Sequence, residues 1–204
     1  MNINELMEQC GLIDILKIDS SIKTDIRYAT NNNFVGKVLY TKPFSVYAEP
    51  HLAHAIVNAN KELKMLRPDY SLVIFDAARP LSIQKEMFEL VKNTPNEQYI
   101  ANPYEKHPGG FHNYGMAVDL SIIDGEGNLL DMGTDFDSFS ELAHVGNERN
   151  LVAKGDLSIE AYANRMMLYF IMGKQGLLPY KYEWWHYQLT QNEDAKISKY
   201  LLNF

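Results

Sequence analysis

Helical spacing of apolar residues predicts three helices in the chain. The first spans residues 50–66, with Pro50 at its start and Pro68 just after its end, because proline suits the first turn of a helix and disrupts its interior. The second begins at Pro80, and the third covers residues 157–173. Their apolar positions recur every three or four residues, at Leu52, Ala55, Ile56, Ala59, Leu63 and Leu66, at Ile83, Met87, Phe88 and Val91, and at Ile159, Met166, Met167, Phe170 and Ile171.

Short apolar runs bounded by turn residues predict the strands. One covers residues 71–75, a second covers residues 117–123, and a third covers residues 179–189, which are rich in Tyr and Trp. A glycine-rich turn at residues 124–128 leads back into an apolar segment, which is the pattern of a β-hairpin. Residues 3–18 are expected to form a short helix and then a strand. Polar stretches predict loops over residues 25–36, 93–111 and 133–150.

This order of elements predicts one α+β domain over residues 1–204, in which helices flank a central, mostly antiparallel sheet. A chain of 204 residues with 46% hydrophobic residues is long enough for one sizeable core. A formal charge of −7 and the lack of a basic stripe argue against nucleic acid as a partner. We expect no membrane span, because no apolar run reaches the about 18 residues that a bilayer requires. The oligomeric state is left open.

Cysteine usage and the start of the chain bear on its location. Cys10 is the only cysteine, so an intrachain disulfide and a cysteine-based zinc site are excluded. An unpaired cysteine fits a reducing compartment, and the first residues lack the basic and apolar regions of a signal peptide. The sequence therefore predicts a cytoplasmic protein. A chain from which a leader had been removed would look the same and would be periplasmic.

Two separated segments carry residues that suit a metal ion. His112 and Asp119 lie seven residues apart across Gly115, where a loop is expected to become a strand. A carboxylate within an apolar strand is costly unless it is paired, hydrogen-bonded or metal-bound. Far downstream, Glu183 and His186 flank two tryptophans. Two imidazoles and one carboxylate suit a zinc ion that keeps one coordination position for water. The remaining carboxylate, Glu183, can then act as general base on that water. We expect this metal site at the mouth of the sheet.

The spacing of Glu183 and His186 leaves alternatives open. On a flat strand, residues three apart point to opposite faces, so convergence requires a bulge or tight bend at Trp184 and Trp185. On a helix they would share a face, as in di-iron bundles, but Pro179 and the aromatic surroundings disfavour a long bundle helix. A domain with a satisfied His and Asp, and no metal, also fits the spacing.

Arg79 and Tyr28 each have two interpretations from the residues alone. Arg79 follows a predicted strand, where functional side chains are often presented, and it suits either a structural ion pair or polarisation of a substrate carbonyl. Tyr28 lies in a loop rich in asparagine, where an aromatic side chain most often serves loop packing.

The longer pattern around His112 resembles a known family. Residues 110–119, Gly-Phe-His-Asn-Tyr-Gly-Met-Ala-Val-Asp, resemble the Ser-x-His-x-x-Gly-x-Ala-x-Asp signature of the zinc D-Ala-D-Ala metallopeptidases. Residues 183–187, Glu-Trp-Trp-His-Tyr, look like that family's second signature. The resemblance is closest to the D-alanyl-D-alanine dipeptidases, the branch known for removing the normal cell-wall dipeptide in vancomycin resistance. Further matches to that branch are Arg27-Tyr28-Ala29-Thr30 with Asn33-Phe34-x-Gly36, Asp76-x-x-Arg79-Pro80, and Met132-Gly133-Thr134-x-Phe136-Asp137.

The resemblance implies a metal centre and a reaction. It implies His112, Asp119 and His186 as the ligands of one zinc ion per chain. It implies Glu183 as the general base, which takes a proton from water and passes it to the leaving amine. The implied activity is hydrolysis of D-alanyl-D-alanine and related D-containing dipeptides to free amino acids, so the expected partner is a small dipeptide.

The same resemblance implies the residues that bind the substrate. Arg79 would stabilise the carbonyl oxygen as it gains negative charge. Asp137 would receive the free amino group of the substrate, and Tyr28 would line the same pocket. One position departs from the signature, because Gly110 stands where the family has Ser. That serine is expected near the substrate, so the departure bears on affinity or dipeptide preference and not on the metal.

Two other functions are compatible with these residues. A carboxypeptidase that trims peptidoglycan stem peptides would use the same metal site but would not need Asp137 to bind a free amine. A binding module would keep the fold and the metal without turnover, although Glu183 and Arg79 argue against such a loss. The biological role, whether resistance, wall recycling or nutrient use, is left open.

Overall fold

A five-stranded sheet lies at the centre of the computed structural model, which describes residues 2–40 and 45–204. In chain order the strands are β1 (Ile13–Asp14), β2 (Lys23–Thr24), β3 (Tyr47–Ala48), β4 (Ser71–Asp76), β5 (Ala117–Ile123), β6 (Leu178–Tyr180) and β7 (Glu183–Gln188). The central sheet has the spatial order β2-β4-β5-β7-β6, and β1 pairs with β3 in a separate small sheet. The β2–β4 pair is parallel and the other central pairs are antiparallel, which confirms the predicted mostly antiparallel sheet.

Helices pack with this sheet, as the apolar pattern predicts, and complete a single α+β domain. Within the described residues they are α1 (Ile3–Gln9), α2 (Ile15–Ile18), α3 (Pro50–Leu66), α4 (Leu81–Val91), α5 (Glu148–Lys154) and α6 (Ile159–Gly173). Helices α3 and α6 contact each other, and α3 also contacts β4. One apolar cluster joins these helices to the central strands through buried residues such as Ile56, Ile74, Leu120, Ile171 and Tyr187. Across the described ranges, no helix combines the length and apolar character that a bilayer span requires.

Two short helices correct the predicted pattern. Residues 15–18, expected in a strand, form α2, because the Asp14 side chain accepts the Leu16 N–H and caps the helix. Helix α5 lies partly within the stretch predicted as a loop. Its buried Leu151 joins a small apolar cluster with Leu157, so packing against the following segment stabilises a helix too short to be stable alone.

The predicted strand and hairpin near the two ends of β5 also differ in detail. The segment predicted as one strand over residues 179–189 is divided into β6 and β7, which pair antiparallel with each other. The predicted hairpin is reduced to the turn at residues 124–128 and one antiparallel bridge between Ile123 and Leu129. The turn is held by the Asp124 side chain, which accepts the backbone N–H groups of Glu126 and Asn128.

Gly115 allows the chain to turn sharply into β5. It ends the 3₁₀ turn Phe111–Tyr114 with φ of +67°, in the left-handed region that favours glycine. Its carbonyl accepts the Glu49 N–H at 2.8 Å, just before α3. A Cβ at Gly115 would lie 2.6 Å from Leu12 Cδ2 and 3.3 Å from the Glu49 backbone nitrogen. The backbone approaches closely here, and the approach fixes the turn that carries His112.

Gly115→Ala should therefore destabilise the protein by more than the cost of placing alanine in a left-handed backbone conformation. The left-handed penalty is about 1–2 kcal/mol, and steric overlap with Leu12 and Glu49 should add about 1–3 kcal/mol. The matched control is Gly127→Ala, because Gly127 has φ of +88° but a Cβ added there would meet nothing within 4 Å. Thermal unfolding of both variants measures the difference, at about 2–4 °C per kcal/mol. Equal losses in Tm would contradict the close approach at Gly115.

Candidate active site and its metal-binding residues

Three buried side chains from three different elements converge at the start of β5. His112 lies on the 3₁₀ turn Phe111–Tyr114, Asp119 lies in β5, and His186 lies opposite Asp119 in β7. His112 Nε2 is 3.1 Å from His186 Nδ1 and 3.2 Å from Asp119 Oδ1, and His186 Nδ1 is 3.1 Å from that same oxygen. The ligand set expected from the sequence thus forms a nearly equilateral triangle of potential donor atoms.

The remaining ring nitrogens of both histidines are engaged outside this triangle. His112 Nδ1 lies 2.7 Å from the Ala77 carbonyl oxygen, and His186 Nε2 lies 2.9 Å from Gln188 Oε1. The Gln188 amide donates its own N–H to the Thr190 carbonyl at 2.7 Å, which orients its oxygen toward His186. This network assigns the ring protons to His112 Nδ1 and His186 Nε2. Such outer partners fix the tautomer of a ligating histidine.

These residues fit a zinc ion. With both ring protons used elsewhere, two nitrogen lone pairs and a carboxylate oxygen face one another, and a cation is the group that relieves their repulsion. Tetrahedral zinc with bonds of about 2.0–2.1 Å separates its ligand atoms by about 3.3 Å, close to the 3.1–3.2 Å seen here. Within the described part of the chain, His112, Asp119 and His186 are the group of His, Cys, Asp and Glu side chains suited to hold a metal ion.

A bulge brings Glu183 beside His186. Along the β6–β7 pair, Pro179 faces Tyr187 but Tyr180 faces Glu183, so the intervening residues of β7 have no counterpart on β6. This shift confirms the irregularity predicted at the two tryptophans. It leaves Glu183 Oε2 3.7 Å from His186 Nδ1, at the edge of the metal-binding triangle.

Burial and neighbouring charges separate the two carboxylates of this centre. Burial alone would raise the pKa of Asp119, but His112 and His186 lower that pKa below its ordinary value when the ring nitrogens that face Oδ1 are protonated, and a cation held between the three groups would act in the same direction. Burial raises the pKa of Glu183 to about 8, and the carboxylates of Asp119 and Asp137 add to the rise against the opposing effect of His186. Asp119 is thus held as an anion, while Glu183 retains a proton more readily.

Arg79 is a fixed cation between the metal ligands and Tyr28. Its Nε and Nη2 both lie 2.7 Å from Asp76 Oδ2, and its Nη1 donates to Gln84 Oε1 at 2.8 Å. Its Nη2 lies 3.5 Å from Asp119 Oδ2, and its guanidinium carbon lies 5.1 Å from the centre of the Tyr28 ring. Burial lowers the pKa of Arg79, but Asp76, Tyr28, Tyr40 and Asp119 together outweigh burial and hold that pKa above its ordinary value. The structural ion pair considered from the sequence is present.

Asp137 is a buried carboxylate that contacts neutral groups. Tyr28 donates its hydroxyl to Asp137 Oδ1 at 2.8 Å, and the Phe34 N–H donates to Oδ2 at 3.1 Å. Burial raises the pKa of Asp137 to about 7, although these two hydrogen bonds act to lower it. Its φ of +61° is in the left-handed region, where strain in a non-glycine residue often accompanies a functional role. Neither contact supplies a positive charge, so the Asp137 carboxyl group lacks an adjacent cation.

One cavity of about 740 Å³ collects these groups. The structure brings all of the sequence-predicted site residues to its wall, namely Tyr28, Arg79, His112, Asp119, Asp137, Glu183 and His186. A concave pocket with a few convergent polar groups and perturbed pKa values is the usual form of an active site. The sequence alone favours loop packing for Tyr28, but in the structure the Tyr28 hydroxyl reaches Asp137.

Sequence reasoning missed the supporting role of Gln188, and Asp76, although part of the motif around Arg79, was assigned no role. Gln188 lies two residues after His186, so strand alternation places both side chains on one face, and this signal could have identified it. Asp76 lies three residues before Arg79 in the sequence, a spacing that could also have suggested an ion pair. Lys196, which also lines the cavity, carries no comparable local signal.

Comparison with known proteins agrees with this arrangement. The profile of a peptidase family described as D-ala-D-ala dipeptidase matches residues 8–204. A D-alanyl-D-alanine dipeptidase of Escherichia coli (strain K12) is 29% identical over 181 residues, covering 88% of this chain and 85% of that protein. D-alanyl-D-alanine dipeptidases of Enterococcus faecalis and Enterococcus faecium are 28% and 27% identical, covering 88% and 89% of this chain and 91% and 92% of theirs. This chain belongs to the D-ala-D-ala dipeptidase family.

Proposed function

We propose that this protein is a zinc-dependent dipeptidase that hydrolyses D-alanyl-D-alanine and related D-containing dipeptides to free amino acids. The observation that carries the proposal is the meeting of His112, Asp119 and His186 in one cavity, with Glu183 beside them and Asp137 on the same wall. Membership in the family supports peptidase chemistry. The donor set supports the metal.

His112, Asp119 and His186 would hold the zinc ion, one per chain. When bound there, zinc supplies a Lewis acid for the substrate carbonyl and lowers the pKa of water toward about 7. The protein contributes two neutral imidazoles whose orientation is fixed by Ala77 and Gln188. Such outer contacts keep the donor atoms aimed at the ion and limit reorganisation on binding.

Glu183 and Arg79 would act on the reacting groups. Glu183 lies beside the metal-binding triangle, where the charge of a bound zinc ion would lower the raised pKa of its carboxyl group. The Glu183 carboxylate is then placed to take a proton from the attacking water and deliver it to the leaving amine. Arg79 presents a guanidinium fixed by Asp76 and Gln84, so it can face the developing negative charge with little reorganisation. A preorganised donor of this kind contributes about 3–4 kcal/mol to transition-state stabilisation.

Asp137 would select substrates with a free amino group. Its buried carboxylate contacts a hydroxyl and a backbone N–H, so a substrate ammonium would supply the missing positive charge. Tyr28 would hold the carboxylate in position through its hydroxyl. Recognition of the amine distinguishes a dipeptidase from an enzyme that trims longer peptides.

The size of the cavity favours a second candidate, a carboxypeptidase acting on peptidoglycan stem peptides. About 740 Å³ falls within the range of pockets for drug-sized ligands and exceeds what a dipeptide of alanine fills. Such an enzyme would use the same metal ligands and Glu183. The additional residues of the stem peptide would then lie beside Asp137, where we place the free amino group of a dipeptide.

Zinc and Glu183 should both be required for release of D-alanine from D-alanyl-D-alanine. A chelator should abolish activity and added zinc should restore it. Glu183→Gln keeps the side-chain shape but cannot take a proton, so kcat should fall by about 10²–10⁴-fold while one zinc per chain remains bound.

His112→Ala should lose the metal. The control is His54→Ala, which changes an exposed histidine of α3 and should keep both metal and activity. Elemental analysis and a D-alanine assay measure these outcomes, and zinc binding without cleavage of any D,D- or L,D-dipeptide would overturn the proposal.

The free amino group should matter through Asp137. Acetylation of the substrate amine should lower kcat/KM by about 10–100-fold, because a charge-assisted contact of about 1.5–3 kcal/mol is lost. In Asp137→Asn the acetylated and free dipeptides should be cleaved at similar, low rates. Steady-state kinetics on the two substrates gives this ratio. Equal rates with the parent protein would remove the role of Asp137 and favour the carboxypeptidase.

The pKa of Asp137 near 7 in the free protein should appear in the pH dependence of stability. Its folded-state pKa lies above the ordinary value of 3.8, so the folded state binds more protons than the unfolded state between these values. The stability contribution is present below pH 3.8 and is lost as pH rises through about 7. Asp137→Asn lacks this titration, so its Tm relative to the parent should rise by several degrees between pH 4.5 and pH 8. A constant difference in Tm across this range would show that Asp137 titrates normally.

A further inference from the structure

A free dipeptide carries a carboxylate as well as an amine, and the site must accommodate both charges. Burying a carboxylate without a partner is costly, so a cation is needed at the end of the cavity that receives it. Among the described residues that line the cavity, the basic side chains are Arg79, Lys181 and Lys196. Arg79 is already engaged by Asp76, Gln84 and Asp119. The two lysines are the remaining candidates.

Lys196 is a buried lysine to which the proposed mechanism assigns no role. Its side chain is 3% exposed, although lysine is almost never fully buried without a partner. Its Nζ donates to the Gly109 carbonyl at 2.9 Å, and its ammonium lies 4.9 Å from the centre of the Phe111 ring and 5.8 Å from that of Tyr114. The ammonium is therefore fixed against the segment that leads directly into His112.

The other charge near Lys196 is replaceable. Glu193 forms an ion pair with Lys196 and is 63% exposed, so water can solvate Glu193 when another carboxylate takes its place. Both residues line the cavity. An ammonium has three donors in a compact group, which suits a carboxylate arriving from the cavity.

Gly110 supplies no side-chain donor to its part of the cavity wall. It lines the cavity between Gly109 and the turn that carries His112, and it offers no side-chain hydroxyl or amide. Lys196 reaches the adjacent carbonyl from the C-terminal part of the chain. Lys181, by comparison, is exposed and lies over the Tyr182 ring at 4.4 Å, where water screens its charge.

We propose that Lys196 binds the C-terminal carboxylate of the substrate and restricts the enzyme to peptides with a free C-terminus. This inference rests on the proposed dipeptidase function and extends it. Asp137 and Lys196 would then read the two ends of a zwitterion. The substrate class is an unblocked dipeptide, selected by its two terminal charges.

Binding can be measured separately from turnover in a Glu183→Gln background. Calorimetry on the zinc-loaded protein should show D-alanyl-D-alanine binding about tenfold or more tightly than its C-terminal amide, because a charge-assisted contact is lost in the amide. Lys196→Met keeps an apolar stem over Phe111 and Tyr114, and it should remove this preference. Lys196→Gln can still donate to the Gly109 carbonyl, and it should remove the preference as well. Lys181→Met is the matched control and should retain it.

The outcomes separate this inference from the dipeptidase assignment. Failure of the parent protein to release D-alanine would overturn the proposed function first. If the parent cleaves the dipeptide but binds acid and amide equally, the role of Lys196 is overturned without any variant. An unchanged acid preference in folded Lys196→Met or Lys196→Gln would also overturn it, and loss of the preference in Lys181→Met alone would assign the carboxylate to Lys181. A melting curve for each variant identifies a loss of fold.

Discussion

The buried carboxylate of Asp119 is the group on which the rest of the site depends. Its Oδ1 lies 3.1 Å from His186 Nδ1 and 3.2 Å from His112 Nε2, while its Oδ2 lies 3.5 Å from Arg79 Nη2. A buried charge is tolerated only when partners meet it on every side. The central position of β5 supplies them, because His186 lies opposite Asp119 on β7, and Asp76, opposite Asp119 on β4, holds Arg79 beside Oδ2. Strand order therefore decides which residues can share one metal-binding centre.

Backbone contacts hold the His112 turn in place against this carboxylate. The Arg79 N–H donates to the His112 carbonyl at 3.0 Å, and the Asn113 side chain donates to the Arg79 carbonyl at 2.9 Å. The C-terminal segment continues this connection, since the Leu202 N–H donates to the Asn113 carbonyl and the Leu81 N–H donates to the Leu202 carbonyl. Hydrogen bonds thus connect the turn that carries His112, the segment around Arg79 and the start of α4. Sites held in this way keep their donor atoms positioned before the ligand arrives.

The charges of the cavity wall suit a small zwitterion more than a neutral peptide segment. The buried Asp137 carboxyl contacts neutral groups, and the buried Lys196 ammonium pairs with the exposed carboxylate of Glu193. Arg79 lies between the metal ligands and the pocket of Tyr28. A substrate without an amino group would leave the buried Asp137 carboxylate without a counter-ion, which would disfavour its binding. If Asp137 and Lys196 bind the two ends of the substrate as proposed, rejection of blocked peptides would follow from the same burial that gives affinity for free ones.

Much of this protein could be predicted from local patterns. The bounds of α3 followed from apolar spacing and two prolines. Residue types and spacing made His112, Asp119, Glu183 and His186 candidates for a metal centre among other interpretations, and the family resemblance implied their roles. Short helices such as α2 and α5 could not be predicted in this way, because capping and packing with neighbouring segments decide them. Periodicity reports only which face of an element is apolar, so it could not assign strand order, the ring nitrogen each histidine presents, or the neighbours of Lys196. The sequence by itself determined which chemical groups are available, and only the tertiary structure decided which of them meet, because contacts between distant segments depend on how the strands are arranged in the sheet.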